Sequence, residues 1–578
     1  MSAAEGAQRP GLLERARRCA PLALVGYTVL GVVFLHRAWA DPRHVTLQGG
    51  DGDPGLFIWF LANTGRALAT GHGLLVTTRL NAPEGVNTMW NTSLLLPGAL
   101  LSWLTALAGP LLTFNALVTA GPVLTAWSAH LAARRFVQTT AARTTVGLVV
   151  GCVTAIPAYA AHVHLSLLML VPPLLLVSVD AATGHRSPVR SGLLLGALVA
   201  SQLLIGEEVL VLTAGTVVLL LVLLGLQRPR LALRRLRDLA VTTLVTAGVV
   251  LAVDGYPLWV QFLGPLRQHG ALLTPDTYKL DPAEIVASGS HLLLHPQAPS
   301  GLLVRGQLGT SELLGHLGLP LLVVVAVVAV VRRRDLAVRT TAATIVALTV
   351  LACGSTLVIA GHRTGISLPW AAATRLPLLD ALLPVRWMIL AGLLAAGLAG
   401  VAVDAVARQG WGRLPSAALA AAVILPLVPL PPAASFTGVP AFFSQGAPGV
   451  TGTALVVPLS DPPSSRTMTW QAMAGMRFAT PRGYFVGPGT AGRARFGARG
   501  RPTAARLNAL TAGGTRDVVS ASDRDAARAD FAYWGVTTVL LGPTRHQDAV
   551  RRFLTSLLGY EPELSGGVYV WRQAAVSA

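Results

Sequence analysis

The sequence predicts a mainly α-helical, polytopic transmembrane bundle of about eleven crossings that ends in a small α/β domain. Three observations carry that prediction. Hydrophobic residues make up 53% of the 578 positions and charged ones only 12%, about half the charged share of a soluble domain. The apolar residues gather in runs near the length of about 20 residues that a spanning helix needs. The arginines lie between those runs. A net charge of +19 in a soluble chain would suggest nucleic acid, but no basic face with interleaved aromatics exists, and that class is excluded.

Eleven runs qualify in order: 20–38, 113–133, 144–161, 166–182, 191–206, 209–226, 238–254, 314–331, 340–359, 387–405 and 415–431. The first follows Arg15, Arg17 and Arg18 and ends near Ala38-Trp39-Ala40, which resembles a signal-peptidase site. With its flanks the run is long enough to stay as an anchor. Short links carry Arg134, Arg135 and Arg143, then Arg186 and Arg190, Arg228 to Arg237, Arg332 to Arg339, and Arg408 with Arg413. All fall on the side of the N-terminal arginines, so the positive-inside rule places the N-terminus in the cytoplasm of a multi-pass plasma-membrane protein. Segments 39–112, 255–313 and 360–386 then face outward, as does everything from 432. The bundle therefore spans 1–431 and an extracytoplasmic domain 432–578. Within the first outward segment, 93–109 is apolar but short and broken by Pro97 and Gly109-Pro110. It reads as a helix lying on the outer leaflet.

In the tail, 453–459, Val536–Leu541 and 567–572 read as strands, because β-branched runs there end in turn residues. Residues 524–534 and Gln547–Leu558 read as helices. The Gly- and Arg-rich stretch 489–506 between them reads as a mobile loop. Trp470, Met473 and Met476 form a stripe that suits either the tail's own core or a face turned to the bundle. Cys19, Cys152 and Cys353 lie in or beside apolar runs without metal-ligand spacing, and no 20–50-residue repeat is visible.

The chemistry concentrates at the outer ends of the runs. Asp51 and Asp53 stand in a Gly-Asp-Gly-Asp-Pro-Gly turn just past the first crossing. Carboxylates at i and i+2 there can converge on a divalent cation (Mg or Mn), or serve as a general base and its helper. The same composition also makes an ordinary turn. Glu207 and Glu208 follow the fifth run; acids at membrane depth are costly and tend to face a cavity. Arg386 opens the tenth run at its outer end, where a guanidinium can grip a phosphate or snorkel to head groups. Arg363 and Arg375 precede it as weaker candidates of the same kind. His162 and His164 are spaced by two and cannot share a helical face, so they read as interface histidines. No Ser/His/Asp set, P-loop or dinucleotide fingerprint is present.

Several stretches together resemble a known family: 50–55, 81–93, 313–321 (LLGHLGLPL), 383–387 (LPVRW) and 470–484 (WQAMAGMRFATPRGY). With the order of crossings and outward segments, they are similar to the polytopic GT-C glycosyltransferases, and among these to a group of actinobacterial membrane proteins. The resemblance implies an inverting transfer of a sugar from a polyprenyl-phosphate donor at the outer leaflet. The acceptor, a glycan, lipid or protein, would lose its proton to an acid of the first outward segment, here Asp51 or Asp53. Asp51 is slightly favoured, because Pro54 restricts the backbone of Asp53. The sequence departs from the family in lacking a clear second acidic motif in a later outward segment. Two other classes remain: a transporter or flippase of lipid-linked sugars, and a non-catalytic membrane scaffold. A transporter would favour internal repeats and polar residues at the membrane midplane, whereas the ionisable residues here collect at the outer ends.

Overall fold

In the computed structural model, the described residues are 12–159, 162–274, 276–287, 291–294, 314–376, 379–409, 413–514 and 517–574. Twelve helices organise the first three quarters of the chain: α1 Leu12–Phe34, α2 Asp53–Thr70, α3 Pro110–Ala133, α4 Thr140–Tyr159, α5 Val171–Thr183, α6 Pro188–Leu203, α7 Glu207–Gln227, α8 Pro229–Phe262, α9 Leu319–Val331, α10 Leu336–Ala352, α11 Trp387–Arg408 and α12 Arg413–Ile424. Each apolar run lies on one of them, α2 being the addition. Several start on a proline in the first turn, whose fixed φ suits a helix and whose missing N–H would be unpaired there anyway. Five described segments are long and apolar enough to cross a membrane, namely Pro110–Ala133, Thr140–Tyr159, Glu207–Gln227, Pro229–Phe262 and Pro384–Arg408, and α5, α9, α10 and the apolar part of α1 are among the shorter apolar ones.

Small residues let the helices approach. An added Cβ on Gly192 or Gly196 of α6 would stand 2.6 and 2.5 Å from Val245 and Val249 of α8, the close contact that small residues four apart permit between helices in lipid. The rest of α8 buries almost nothing: Leu244, Leu251 and Tyr256 are exposed, as on a helix facing acyl chains. At 34 residues it is about 50 Å long, longer than a hydrocarbon core of about 30 Å, and Arg230 to Arg237 ride on its protruding first turns.

The arginine-bearing links meet at one end of the bundle. Asp180 of α5 accepts from Arg135 at 2.7 Å and Arg186 at 2.9 Å. Asp404 of α11 accepts from the backbone N–H groups of Gln138 and Thr139 ahead of α4, and Gln227 reaches Thr340 and Arg339.

Some helices are shorter than the apolar pattern predicts. The run 340–359 stops as a helix at Ala352, and Thr356–Ile359 pairs with His362–Ser367 as a hairpin. Gly354, with φ +76°, breaks the helix, and β-branched residues follow. Segment 93–109 forms two short helices, Leu95–Leu100 and Ser102–Ala108, that expose Leu100, Trp103 and Leu107.

The tail is tied to the first outward segment. Strand β1 (Val45–Leu47) pairs antiparallel with β2 (Ala434–Phe436). Beyond them come β3 Thr453–Val457, helix α13 Arg466–Met473, β4 Val486–Pro488, β5 Ala494–Phe496, α14 Pro502–Thr511, α15 Ala521–Trp534, β6 Val536–Leu541, α16 Gln547–Leu558, β7 Glu563–Ser565 and β8 Val568–Arg572. The main sheet has the order β7-β8-β6-β3, parallel only between β6 and β3. The expected strands and helices of the tail are all present.

The mobile loop is not. Residues 489–506 contain the turn of hairpin β4–β5 and the start of α14. Asn91 clamps this hairpin through both backbone groups of Val486, His269 bonds Gly492 and Ala494, and the Asp530 carboxylate accepts from the Thr503 N–H at the start of α14. Asn91 and His269 are distant in sequence, which is why composition alone misread the stretch. The stripe at 470–476 divides: Trp470 stacks on Phe443 in the tail's core, while Met476 and Met473 join Trp59 and Phe60 of α2.

Candidate active site

The glycine turn ahead of α2 sets two carboxylates apart. Gly50 and Gly52 hold φ of +72° and +65°, left-handed backbone that a side chain would strain. At Gly55 a Cβ would lie 2.2 Å from Ser465 Oγ and 2.3 Å from Gly50 O, so α2 can sit on α13 only with glycine there. The turn sends Asp51 and Asp53 to different partners. Asp51 Oδ1 accepts from Gly52 N–H at 2.9 Å, Ser464 Oγ at 2.9 Å and Ser465 N–H at 2.8 Å, and Arg466 stands 3.7 Å from its other oxygen. Asp51 thus fastens the first outward segment to the segment that opens α13.

Asp53, the first residue of α2, faces the bundle. Its Oδ1 accepts from the Tyr484 hydroxyl at 2.9 Å, and its Oδ2 lies 3.1 Å from His162 Nδ1. Burial and the Asp53 charge push the Tyr484 phenol well above its ordinary range, so it stays a neutral donor. By His162, with φ −90° and ψ 63°, the chain has left α4, and Val163–Ser166 forms a 3-10 turn. Outside a regular α-helix, spacing by two brings the rings of His162 and His164 together at 5.9 Å and 22°.

His164 Nε2 stands 3.6 Å from Glu208 Oε2, and Glu208 pairs with Arg386. Burial lowers the His164 pKa against the pull of Glu208, which leaves a neutral ring beside the Glu208–Arg386 pair. Glu208 occupies the first turn of α7, where the helix dipole favours an anion. Arg386 closes the 3-10 turn Pro384–Arg386 that leads into α11 and is 8% exposed; a guanidinium so deep is held by its acid and does not snorkel. One polar line thus runs Asp53, His162, His164, Glu208, Arg386 across the end of the bundle opposite the arginine links.

Other candidates lie elsewhere. Glu207 turns to Gln261 of α8 at 2.7 Å. Arg363 on the 356–367 hairpin and Arg375 are exposed, and neither makes an ion pair among the described residues. Protein hydrogen-bond donors engage one oxygen of each aspartate, and the two carboxylates answer to different partners. Among the described residues, no three His, Cys, Asp or Glu side chains are grouped to hold a metal. Tyr484 escaped the sequence reading although it ends the quoted 470–484 stretch. Pro157, which precedes the histidines closely, is the signal that could have taken them off the helix.

No family model matches the chain, and no curated protein matches it. Among solved structures, a mutant form of arabinofuranosyltransferase AftD from Mycobacteria is similar over 97% of this chain and 42% of its own, at 14% identity and a TM-score of 0.50. The chain thus spans less than half of that enzyme. The oligosaccharyltransferase AglB from Archaeoglobus fulgidus, in complex with an inhibitory peptide and a dolichol-phosphate, gives 11% identity and 0.47, with 91% and 70% of the two chains covered. ArnT from Cupriavidus metallidurans, bound to undecaprenyl phosphate, gives 13% and 0.46, with 96% and 98% covered.

Proposed function

Starting from a chain with the GT-C fold, we propose that it is a membrane glycosyltransferase, a hexosyl- or pentosyltransferase, that moves a sugar from a polyprenyl-phosphate donor to an extracytoplasmic acceptor. The topology goes with it: about eleven crossings, the N-terminus and arginine links in the cytoplasm, and the tail outside. Asp53 takes the proton of the acceptor hydroxyl as the oxygen attacks the anomeric carbon. The bond from that carbon to the phosphate oxygen breaks, the centre inverts, and polyprenyl phosphate leaves with the electron pair. Arg386, held by Glu208, stabilises the charge that develops on the leaving phosphate. His162 and Tyr484 orient the base.

The observation that carries this reading is the line from Asp53 to Arg386, which joins a carboxylate to a guanidinium across one end of the bundle. Asp51, bonded through one oxygen to Ser464 and Ser465 of the tail, positions the loop. Arg363 and Arg375 stand exposed, apart from that line.

The test is release of lipid phosphate by the protein in nanodiscs, offered a panel of polyprenyl-phosphate sugars. Arg386→Ala should weaken donor use, and Arg386→Lys should restore it only partly, because lysine lacks the bidentate fork. Removing arginine leaves Glu208 as a buried unpaired acid, costly at about 3–5 kcal/mol, so each variant is also made with Glu208→Gln. Turnover should survive a chelator. Undiminished turnover in Arg386→Ala would remove the phosphate-binding role.

A further inference from the structure

On the side of the turn away from Asp53 lies a cavity of about 330 Å³ between the first outward segment and the tail. Six of its lining residues matter: Gln48, Asp51, Ser435, Phe436, Arg466 and Trp470. Its volume is at the lower end of small-molecule sites, about 300 Å³ and up. Three features say what would fit. The charges of Asp51 and Arg466 face each other at 3.7 Å and offset, so the walls favour no ion. Gln48 and Ser435 offer both donors and acceptors from an amide and a hydroxyl. Phe436 leaves its ring 71% exposed at the end of β2, outside the bundle, where a bare aromatic face suits the C–H face of a pyranose or furanose. Trp470, 1% exposed and stacked on Phe443, gives the cavity a rigid wall.

We infer that this cavity is a saccharide subsite that holds a neutral sugar unit of the acceptor. The acceptor is then a glycan, or a molecule that carries one, and it is gripped at a unit other than the one that reacts. The inference rests on the proposed transferase activity for the word acceptor, since Asp51 in the cavity wall is two residues from Asp53. Hydroxyls would pair with Gln48, Ser435 and the Asp51–Arg466 couple, and the apolar sugar face would cover Phe436.

The experiment is saturation-transfer NMR on the full chain in nanodiscs, with neutral tetrasaccharides of glucose, mannose, galactose and arabinose as probes. At least one should receive saturation from the protein, and Phe436→Ala and Gln48→Ala should each cut that signal more than twofold. Asp53→Asn should leave binding intact. The inference is overturned if none of the four is saturated, or if both cavity variants bind like the parent, which would leave a cavity holding water only. The two readings fail separately. Sugar binding with full turnover in Asp53→Asn defeats the catalytic reading alone, while lost turnover in Asp53→Asn with no sugar bound defeats the subsite alone.

Discussion

Asp51 and Asp53 are close in the chain yet answer to different neighbours, and their asparagine variants should separate. Asp53→Asn removes the base, which contributes roughly 100- to 10,000-fold to rate, and should lose turnover at near-parental thermal stability. Asp51→Asn keeps an oxygen for the Ser464 and Ser465 donors but loses the charge that strengthens those bonds, by about 1 kcal/mol. It should lower the melting temperature while keeping most of the rate. The opposite pattern would exchange the two roles. His164 gives a pH test. Its folded pKa lies below the unfolded value of about 6.5, so between the two the unfolded chain binds more protons. Stability from this group is present above about pH 6.5 and is lost as the pH falls below it. His164→Asn should flatten that part of the parental curve of melting temperature against pH. An unchanged slope would show the ring to be solvated.

At the scale of elements, the β4–β5 hairpin depends on one side chain. Asn91 is 5% exposed and bonds the N–H of Val486 at 2.6 Å and its C=O at 2.8 Å. Alanine there leaves two backbone groups without their partner, at about 1–3 kcal/mol each when buried. Asn91→Ala should therefore speed trypsin cleavage after the arginines between 493 and 501, with little change elsewhere. Cleavage at the parental rate would mean that the contacts around His269 hold the hairpin by themselves. The same dependence explains the misread loop. Glycine and arginine content describes what a segment can do alone, whereas this one is ordered by partners some 220 to 400 positions earlier.

Over the whole molecule, the arginine links gather at one end and the acid–histidine line at the other. Single cysteines in the 228–237 link should resist a membrane-impermeant label in intact cells, and ones near 280 or 500 should react. Labelling of the link from outside would reverse the orientation. The tail has cores of its own, but one core crosses the boundary at 432. Met468, Ala472, Met476 and Phe485 of the tail pack with Trp59 and Phe60 of α2, and Trp59 Nε1 donates to Gln471 at 2.6 Å. A soluble 435–578 fragment would expose that face to water, and should aggregate unless residues 39–112 are supplied.

The sequence by itself determined where the apolar helices of the bundle lie, which links are basic, and where three strands of the tail's main sheet fall. Those features follow from local periodicity and charge: each apolar run must bury its backbone polar groups in a helix, wherever its neighbours stand. It also put Asp51, Asp53, Glu208 and Arg386 among the candidates, through acids and a guanidinium where charge is costly. Only the tertiary structure decided which of them meet. The two histidines joined the line because the chain has left α4 by His162, and Tyr484 reaches Asp53 across 431 positions. Asp51 is claimed by α13, whose docking requires glycine at position 55. Such contacts form between surfaces that no local pattern encodes, so the same pair of acids could serve as a cation site, a turn or a base until the packing around them was fixed.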